Sequence, residues 1–348
     1  MVIKVGVVGY GTIGKRVADA VLLQPDMELV GVTINSYNYR MSSAARAGIR
    51  LFALSSAASF PVPIAGTFKD LLAACDVIVD CSPKPQGLKN KEQYYLPAGV
   101  KVIYQGGEKA PVGQASFTAQ CNYEQCVGLD HVRVVSCNTT GLARTIGAID
   151  ARWGVASAHV TLIRRAADPW DSHKGPINAI VPELRLPSHH GPDLQTILPH
   201  IPIMTSAVIV PTTVMHLHTI NLRLRNIPTR EEAIAYLGGT QRLLLVKGSE
   251  GLVSTAEIMD MARDSGAKRG DLMEVAIWEE GINVVGDELF FHQAVHQESD
   301  VVPENIDAIR AVMGSMSAQE SMALTNKTLG IYAGKQTTTV VQKAMLTK

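Results

Sequence analysis

The chain begins Met1-Val2-Ile3-Lys4-Val5-Gly6-Val7-Val8, continues Gly9-Tyr10-Gly11-Thr12-Ile13-Gly14, and runs on as Lys15-Arg16-Val17-Ala18-Asp19-Ala20-Val21. The first run is apolar and closed by glycine; the last has helical spacing. A Gly-x-Gly-x-x-Gly pattern between strand and helix marks a dinucleotide-binding turn. Gly9, Gly11 and Gly14 permit the tight turn, close approach of a pyrophosphate, and packing of helix on strand. Thr12 and Ile13 open the helix, where free N–H groups meet anionic oxygens. A glycine turn of purely structural use is the plainer alternative, and the flanking strand and helix count against it.

Strand and helix keep alternating outward from this turn. Glu28 to Thr33 reads as the second strand, leading into Ile34-Asn35-Ser36. Sites selective for NAD usually carry an Asp or Glu at this strand end to hold the ribose 2′-OH. Here there is none, so nothing repels a 2′-phosphate. Thr33 and Asn35 offer it hydrogen bonds and Arg40 a charge, so NADP is expected to be accepted beside NAD. Further strands are expected at Asp76–Cys81 and Val100–Tyr104, with a helix over Gly87–Tyr95 between them. Their terminal loops, Ser82-Pro83 and Gly106-Gly107, should border the nicotinamide ribose. The pattern is that of an α/β fold, a Rossmann doubly wound parallel sheet.

A second decisive stretch is Val134-Val135-Ser136-Cys137-Asn138-Thr139-Thr140-Gly141-Leu142. Apolar residues run into a cysteine, and a helix is expected over Leu142–Trp153. A thiol at a helix N-terminus meets unpaired N–H groups and the positive end of the helix dipole. Its pKa should therefore fall from ~8.5 towards neutrality. A lone cysteine of this kind is otherwise a small buried residue at a strand end.

After Trp153 the strands lengthen, as in an α+β domain with a largely antiparallel sheet. Ala158–Arg165 ends on Arg164-Arg165, beside the hydroxyls of Thr139 and Thr140 in the other motif. Adjacent arginines suit a phosphate, which a guanidinium grips bidentately; a solvated strand end is the alternative. Ile203–Pro211 is followed by Val214–Leu224, where alternation sets His216 and His218 on one strand face. Pro187–Asp193 reads as a loop by its Pro and Gly content. Thr255–Ser265 and Glu304–Met313 read as helices, the latter returning to the first domain. The expected division is 1–136 with 304–348 for dinucleotide binding, and 137–303 for catalysis. His189, His190, His216 and His218 are of a residue type that ligates metals, but no carboxylate or thiolate at suitable spacing completes a set, so no metal is expected.

Composition narrows the class. The 348 residues are 46% hydrophobic and 18% charged, and 32 basic against 32 acidic residues leave zero formal charge. A neutral balance argues against nucleic acid or an anionic membrane as partner. No apolar run reaches membrane-spanning length, and the N-terminus is a strand pattern rather than a signal peptide, so the cytoplasm is the expected location. Cys75, Cys81, Cys121, Cys126 and Cys137 are an odd, scattered set, which fits reduced thiols better than a disulfide framework.

The chain resembles archaeal-type glyceraldehyde-3-phosphate dehydrogenase over nearly its whole length. The stretches that carry this are GYGTIGKRVADAV from Gly9, QGGEK from Gln105, SCNTTGL from Ser136, RRAADP from Arg164, KGPINAIVP from Lys174, PSHHGPD from Pro187, AVIVPTTVMHLH from Ala207 and AVHQESDVVPEN from Ala294. The resemblance implies phosphorylating oxidation of D-glyceraldehyde 3-phosphate with NAD or NADP and inorganic phosphate, in a homotetramer. It implies Cys137 as nucleophile and His216 as base. It matches Thr12, Ile13, Gly107, Arg165 and Gln297 to cofactor contacts, and Ser136, Asn138, His190 and Gly191 to substrate contacts, with inorganic phosphate expected among Thr139, Thr140, Arg164, Arg165 and His190. Arg165 is thus matched to cofactor and read from its chemistry as a phosphate ligand. The chain departs from the family in a shorter, less charged segment from Asn35 to Pro63, in Ile34 where a Lys is common, and in Ala143 where a second Cys is common. Rival readings are another Cys-dependent semialdehyde dehydrogenase such as aspartate-semialdehyde dehydrogenase, a sugar-type oxidoreductase using Lys109 of Glu108-Lys109-Ala110-Pro111, and a non-catalytic dinucleotide-binding protein.

Overall fold

The computed structural model describes residues 2–54, 60–171 and 175–331. Met1, Lys174 and 332–348, the end of the expected C-terminal return, lie outside the described residues, as do 55–59 within the Asn35–Pro63 segment. The chain divides into two compact units, one formed by Met1–Ser136 with Val302–Gly330, the other containing Cys137–Val301.

The first unit is built on an eight-stranded sheet: β1 (Ile3–Val8), β2 (Met27–Ile34), β3 (Leu51–Ala53), β4 (Gly66–Thr67), β5 (Val77–Asp80), β6 (Lys101–Tyr104), β7 (Ala115–Phe117) and β8 (His131–Val134). Their order is β4-β3-β2-β1-β5-β6-β8-β7, with every neighbouring pair parallel. Strands such as VIVD and KVIY are buried on both faces, as a parallel sheet covered by helices requires. The order reverses between β1 and β5, and at such a switch point the strand ends leave a crevice for a ligand. The helix Thr12–Leu22 starts directly after the glycine turn. Gly9 has φ +88°, and a Cβ on Gly14 would lie 1.8 Å from the Gly9 carbonyl oxygen, so both positions demand glycine. The segment expected as a helix over Gly87–Tyr95 is helical from Gln86 to Ala98, with a π turn at Lys91–Tyr95.

The second unit holds β9 (Val155–Arg165), β10 (Val181–Pro182), β11 (Ile203–Val210), β12 (His216–Leu224), β13 (Leu243–Val246), β14 (Val275–Trp278), β15 (Asn283–Val285) and β16 (Glu288–Val295). The order is β10-β11-β9-β12-β16-β14-β13, with β15 also on β16. Pairing is antiparallel except for β11 with β9 and β13 with β14. The fold class is therefore α/β with a second, mixed and largely antiparallel sheet.

Two expectations need correction. The helix expected from Leu142 begins at Cys137 and runs to Trp153. Asn, Thr and Gly are weak helix formers because their side chains or backbone freedom favour other conformations, but here burial overrides them: Thr139, Thr140 and Thr145 are fully buried. A Cβ on Gly141 would come within 2.6 Å of Val295, so that glycine lets the helix settle on β16. Pro187–Asp193 is not wholly a loop, since His190–Leu194 forms a short helix that buries Leu194.

The returning helix Val302–Met313 is fastened within the first unit by Arg310, which is fully buried. Its guanidinium donates to both carboxylate oxygens of Asp26 at 2.8 and 2.7 Å, to Gln24 Oε1 at 2.7 Å and to Thr325 Oγ1 at 2.7 Å. Burial alone would raise the Asp26 pKa, but the hydrogen bonds and charge of Arg310 hold it below the usual carboxylate value. Arg310→Met should destabilise the protein by about 3–5 kcal/mol, because Asp26 is left charged without its partner. A depressed carboxylate stabilises above its unfolded pKa, and that contribution is lost as pH falls through the folded value. Urea unfolding followed by tryptophan fluorescence should show this acid-side loss in the wild type and not in Arg310→Met.

Candidate active site

In the first unit the ends of β1, β2 and β5 border a cleft of about 650 Å³. Gly9, Gly11, Thr33, Asn35, Arg40 and Lys84 contribute to its lining, and among the described residues no Asp or Glu does. Nothing lies within 4 Å of where a Gly11 Cβ would sit, so this backbone faces open space, as close approach of a pyrophosphate requires. Thr12 and Ile13 form the first turn of the helix behind it. These residues fit a dinucleotide. Thr33 is buried and its Oγ1 accepts a hydrogen bond from the Gly9 N–H at 2.9 Å, so it pins the glycine turn. Asn35 is exposed at the end of β2. Arg40 stands in the first turn of the helix Tyr39–Arg46, whose start is capped by Asn38. Gly107 has φ +82° and is exposed, outside the lining of this cleft.

The cleft's far wall depends on a buried carboxylate that sequence reading passed over. Asp80 accepts hydrogen bonds from the Ser82 N–H at 2.8 Å, Asn90 Nδ2 at 2.9 Å and the Tyr95 hydroxyl at 2.6 Å. It thereby secures Ser82 and Asn90, both of which line the cleft. Lys84 was also missed; it follows a Ser-Pro pair that reads simply as a loop, and only folding brings it across from Arg40.

In the second unit Cys137 is half-buried at the first residue of its helix. The expected lowering of its pKa is not what the structure gives. Burial pushes the thiol up to about 12 and the Asp300 carboxylate adds to this, while Arg165, the Asn138 backbone N–H and Arg164 act in the other direction. Loss of hydration outweighs the helix terminus because sulfur exchanges bulk water for few donors. Asn138 Nδ2 also points to Sγ, at 4.0 Å.

His216 is buried and neutral. Burial and then the charges of its neighbours, among them Arg165 and Arg164, hold its pKa well below the ordinary value. Its Nδ1 accepts a hydrogen bond from the Arg165 backbone N–H at 3.1 Å, so in the resting neutral ring the hydrogen sits on Nε2. The same two arginines therefore act electrostatically on both Cys137 and His216. Arg165 is paired with Asp168 at 2.6 Å, and Arg164 lies 3.9 Å from Glu183. The Nε of each arginine is buried without a hydrogen-bond partner among the described residues.

The remaining residues are placed as follows. Thr139 donates its hydroxyl to Asp193 at 2.6 Å, which ties the helix start to the short helix His190–Leu194. Thr140 is fully buried beside it, its hydroxyl without a hydrogen-bond partner among the described residues. Ser188 donates to Thr205 Oγ1 at 2.9 Å, so its oxygen receives the Nδ1–H of His190 at 3.2 Å and leaves His190 Nε2 as an acceptor. Burial depresses the His190 pKa to about 2. An acceptor nitrogen suits a substrate hydroxyl better than a phosphate dianion. The Gly191 N–H donates to Thr205 Oγ1 at 3.1 Å. Ser136 is half-buried and Gln297 is buried. The expectation that no carboxylate completes a set with the histidines is corrected: Glu183 comes together with His189 and His190, their ligand atoms within 4.8 Å. Glu183 is already engaged by the His189 N–H and ring at 3.0 and 3.1 Å. Among the described residues no helix is long and apolar enough to cross a membrane.

Comparison with known proteins agrees with this geometry. Residues 136–280 match the family model described as glyceraldehyde 3-phosphate dehydrogenase, C-terminal domain, and residues 3–106 match dihydrodipicolinate reductase, N-terminus. Curated relatives named glyceraldehyde-3-phosphate dehydrogenase include that of Methanococcoides burtonii, 50% identical over 94% of this chain and 99% of the relative. The Pyrococcus furiosus protein is 53% identical over 95% of this chain and 99% of its own. That of Thermococcus kodakarensis is 51% identical with the same coverage of both. With a dinucleotide cleft in one unit and a cysteine-headed helix in the other, the chain belongs to the glyceraldehyde-3-phosphate dehydrogenase family.

Proposed function

We propose that the protein oxidises D-glyceraldehyde 3-phosphate to 1,3-bisphosphoglycerate, with NAD(P)⁺ and inorganic phosphate, through a thioester on Cys137. The observation that carries this is the half-buried thiol at a helix start, faced by two Asn138 donors and by the charges of Arg164 and Arg165. The Cys137 thiolate adds to the aldehyde carbon, and the Asn138 amide and helix-start N–H groups are placed to stabilise the oxygen that becomes charged. When bound, the oxidised nicotinamide accepts the hydride leaving that carbon. His216 takes the hydroxyl proton at Nδ1, the ring nitrogen that carries no hydrogen, once the Arg165 N–H releases it. The acyl group then waits on sulfur as a thioester. Arg164 and Arg165 are assigned to hold the attacking phosphate, which displaces the thiolate and leaves as the acyl phosphate. Ser136, His190 and Gly191 are assigned to the substrate, with His190 Nε2 accepting a hydroxyl hydrogen. Gly107, Arg165 and Gln297 are assigned to the cofactor, so Arg165 serves both ligands. The first unit is the dinucleotide-binding domain and the second the catalytic domain. A semialdehyde dehydrogenase for amino-acid substrates is not favoured by the relatives, and Lys109 is exposed at the start of a short turn rather than set in a site.

NADP is the cofactor this reading favours. Arg40 and Lys84 both line it, no carboxylate does, and Asn35 stands where an acid would select NAD. A homotetramer is proposed from the resemblance and from exposed Ile177, Ile180, Leu184 and Leu186, which are 63–90% accessible and call for cover; light scattering that returns a monomer would reject it. All five cysteines are thiols, which suits a reducing cytoplasm.

Cys137→Ser should abolish oxidation while a dinucleotide titration stays within about twofold of wild type, since the cleft belongs to the other unit; turnover within a few-fold of normal would sink the covalent route. His216→Asn should slow single-turnover oxidation by about 10²–10⁴-fold, the range for a lost general base. Damage greater from His218→Asn than from His216→Asn would move the base assignment. Asn35→Asp should weaken NADP more than NAD, because a carboxylate at this exposed strand end would repel a 2′-phosphate far more than a ribose hydroxyl. Lys84→Gln should weaken NADP selectively in the same titration, and equal loss for both cofactors would place these residues away from the ribose.

A further inference from the structure

A chain of buried polar groups lies behind Asn138 and ends at the nucleophile. β12 and β16 pair with His218 opposite Gln293. Both side chains are fully buried, and Asn138 is 4% exposed. Gln293 Nε2 donates to His218 Nδ1 at 3.0 Å. A neutral imidazole that accepts at Nδ1 carries its hydrogen on Nε2. That Nε2–H donates to Asn138 Oδ1 at 2.8 Å. With its oxygen so engaged, the Asn138 amide can present only its N–H groups to Cys137 Sγ, at 4.0 Å.

We propose that Gln293 and His218 are positioning residues, which hold the Asn138 side chain with its N–H groups, and not its oxygen, towards the nucleophilic sulfur. The assignment rests on Cys137 being the nucleophile. Its physical content is a choice between two amide orientations of nearly equal shape and opposite charge. With N–H towards sulfur, the amide stabilises a thiolate and the oxyanion formed from it. With oxygen towards sulfur, it repels both. An asparagine alone has no preference between them. The preference comes from His218, and that of His218 from Gln293, which is able to donate where a carboxylate or an apolar residue is not. Burial keeps His218 neutral, its pKa pushed down to about 3, so the direction of donation stays the same across the working pH range. The charged and titratable groups that otherwise bear on this site are Asp300, Arg165 and Arg164, which act on Cys137, and His216, which interacts with His218. None of them contacts the Asn138 amide oxygen among the described hydrogen bonds.

The test reads the sulfur directly. Alkylation of Cys137 by iodoacetamide is followed by mass spectrometry from pH 6 to 10 in the full-length protein without substrate. In the wild type the rate should rise with pH, as expected for a thiol whose pKa burial has raised. Gln293→Met and His218→Phe should each slow alkylation near pH 7 by about 3–10-fold, the range for one ordinary hydrogen bond lost, and move the profile to higher pH. Asn138→Ala should do the same, and adding His218→Phe to it should change the rate less than twofold, because the effect passes through Asn138. If His218→Phe fails to fold, Gln293→Met carries the same expectation alone and combined with Asn138→Ala. Unchanged profiles, equal slowing with and without Asn138, or faster alkylation, which would mean the amide oxygen faces sulfur, would each overturn the proposal. Since no turnover is measured, these outcomes are independent of whether Cys137→Ser retains activity.

Discussion

The second unit of this protein depends on the register of β12 against β16. That pairing puts His218 opposite Gln293 and His216 opposite Val295. Val295 in turn packs where Gly141 leaves room, so the helix beginning at Cys137 lies close to the strand that carries the histidines' partners. Side chains alternate along a strand, so a slip of one residue would turn both histidines to the other face and remove Gln293 from His218. Packing and chemistry are therefore set by the same hydrogen-bond ladder.

Burial is the second organising force, and it works against several of the groups it assembles. It raises the Cys137 thiol and lowers His216, His218 and His190, so these groups rest uncharged. The arginines and backbone N–H groups do not reverse this. They offer preorganised stabilisation that grows in value once a thiolate or oxyanion forms, because a poorly hydrated site screens it little.

The cofactor half solves a different problem. A parallel sheet covered on both faces leaves free ligand-facing backbone only at its strand ends, and the reversal of order at β1 opens a crevice there. Glycine is imposed at Gly9 and Gly14 by conformation and crowding. The other wall is held by Asp80, a carboxylate whose burial is tolerable because Ser82, Asn90 and Tyr95 all donate to it. Among the described residues no acid lines this cleft, and Arg40, from the helix Tyr39–Arg46, and Lys84, from the loop after β5, both do.

Much of this was legible in the sequence because it is local. The glycine turn with its strand and helix, the lack of an acid after Thr33, the cysteine leading a helix, and His216 with His218 on one strand face are all read within a few residues by side-chain periodicity and turn chemistry. Composition alone determined that neither charge nor an apolar run points to nucleic acid or a membrane as partner. The tertiary structure decided what depends on partners distant in the chain. It extended the Cys137 helix through weak helix formers because their burial outweighs propensity. It raised the thiol where a helix-terminus argument lowers it, since desolvation depends on everything packed around the sulfur. It sent the Thr139 hydroxyl to Asp193, brought Glu183 to His189, and joined Gln293, His218 and Asn138 across positions 155 residues apart at most. Hydrogen-bond direction and hydration are properties of a whole neighbourhood, and no local pattern of residues encodes them.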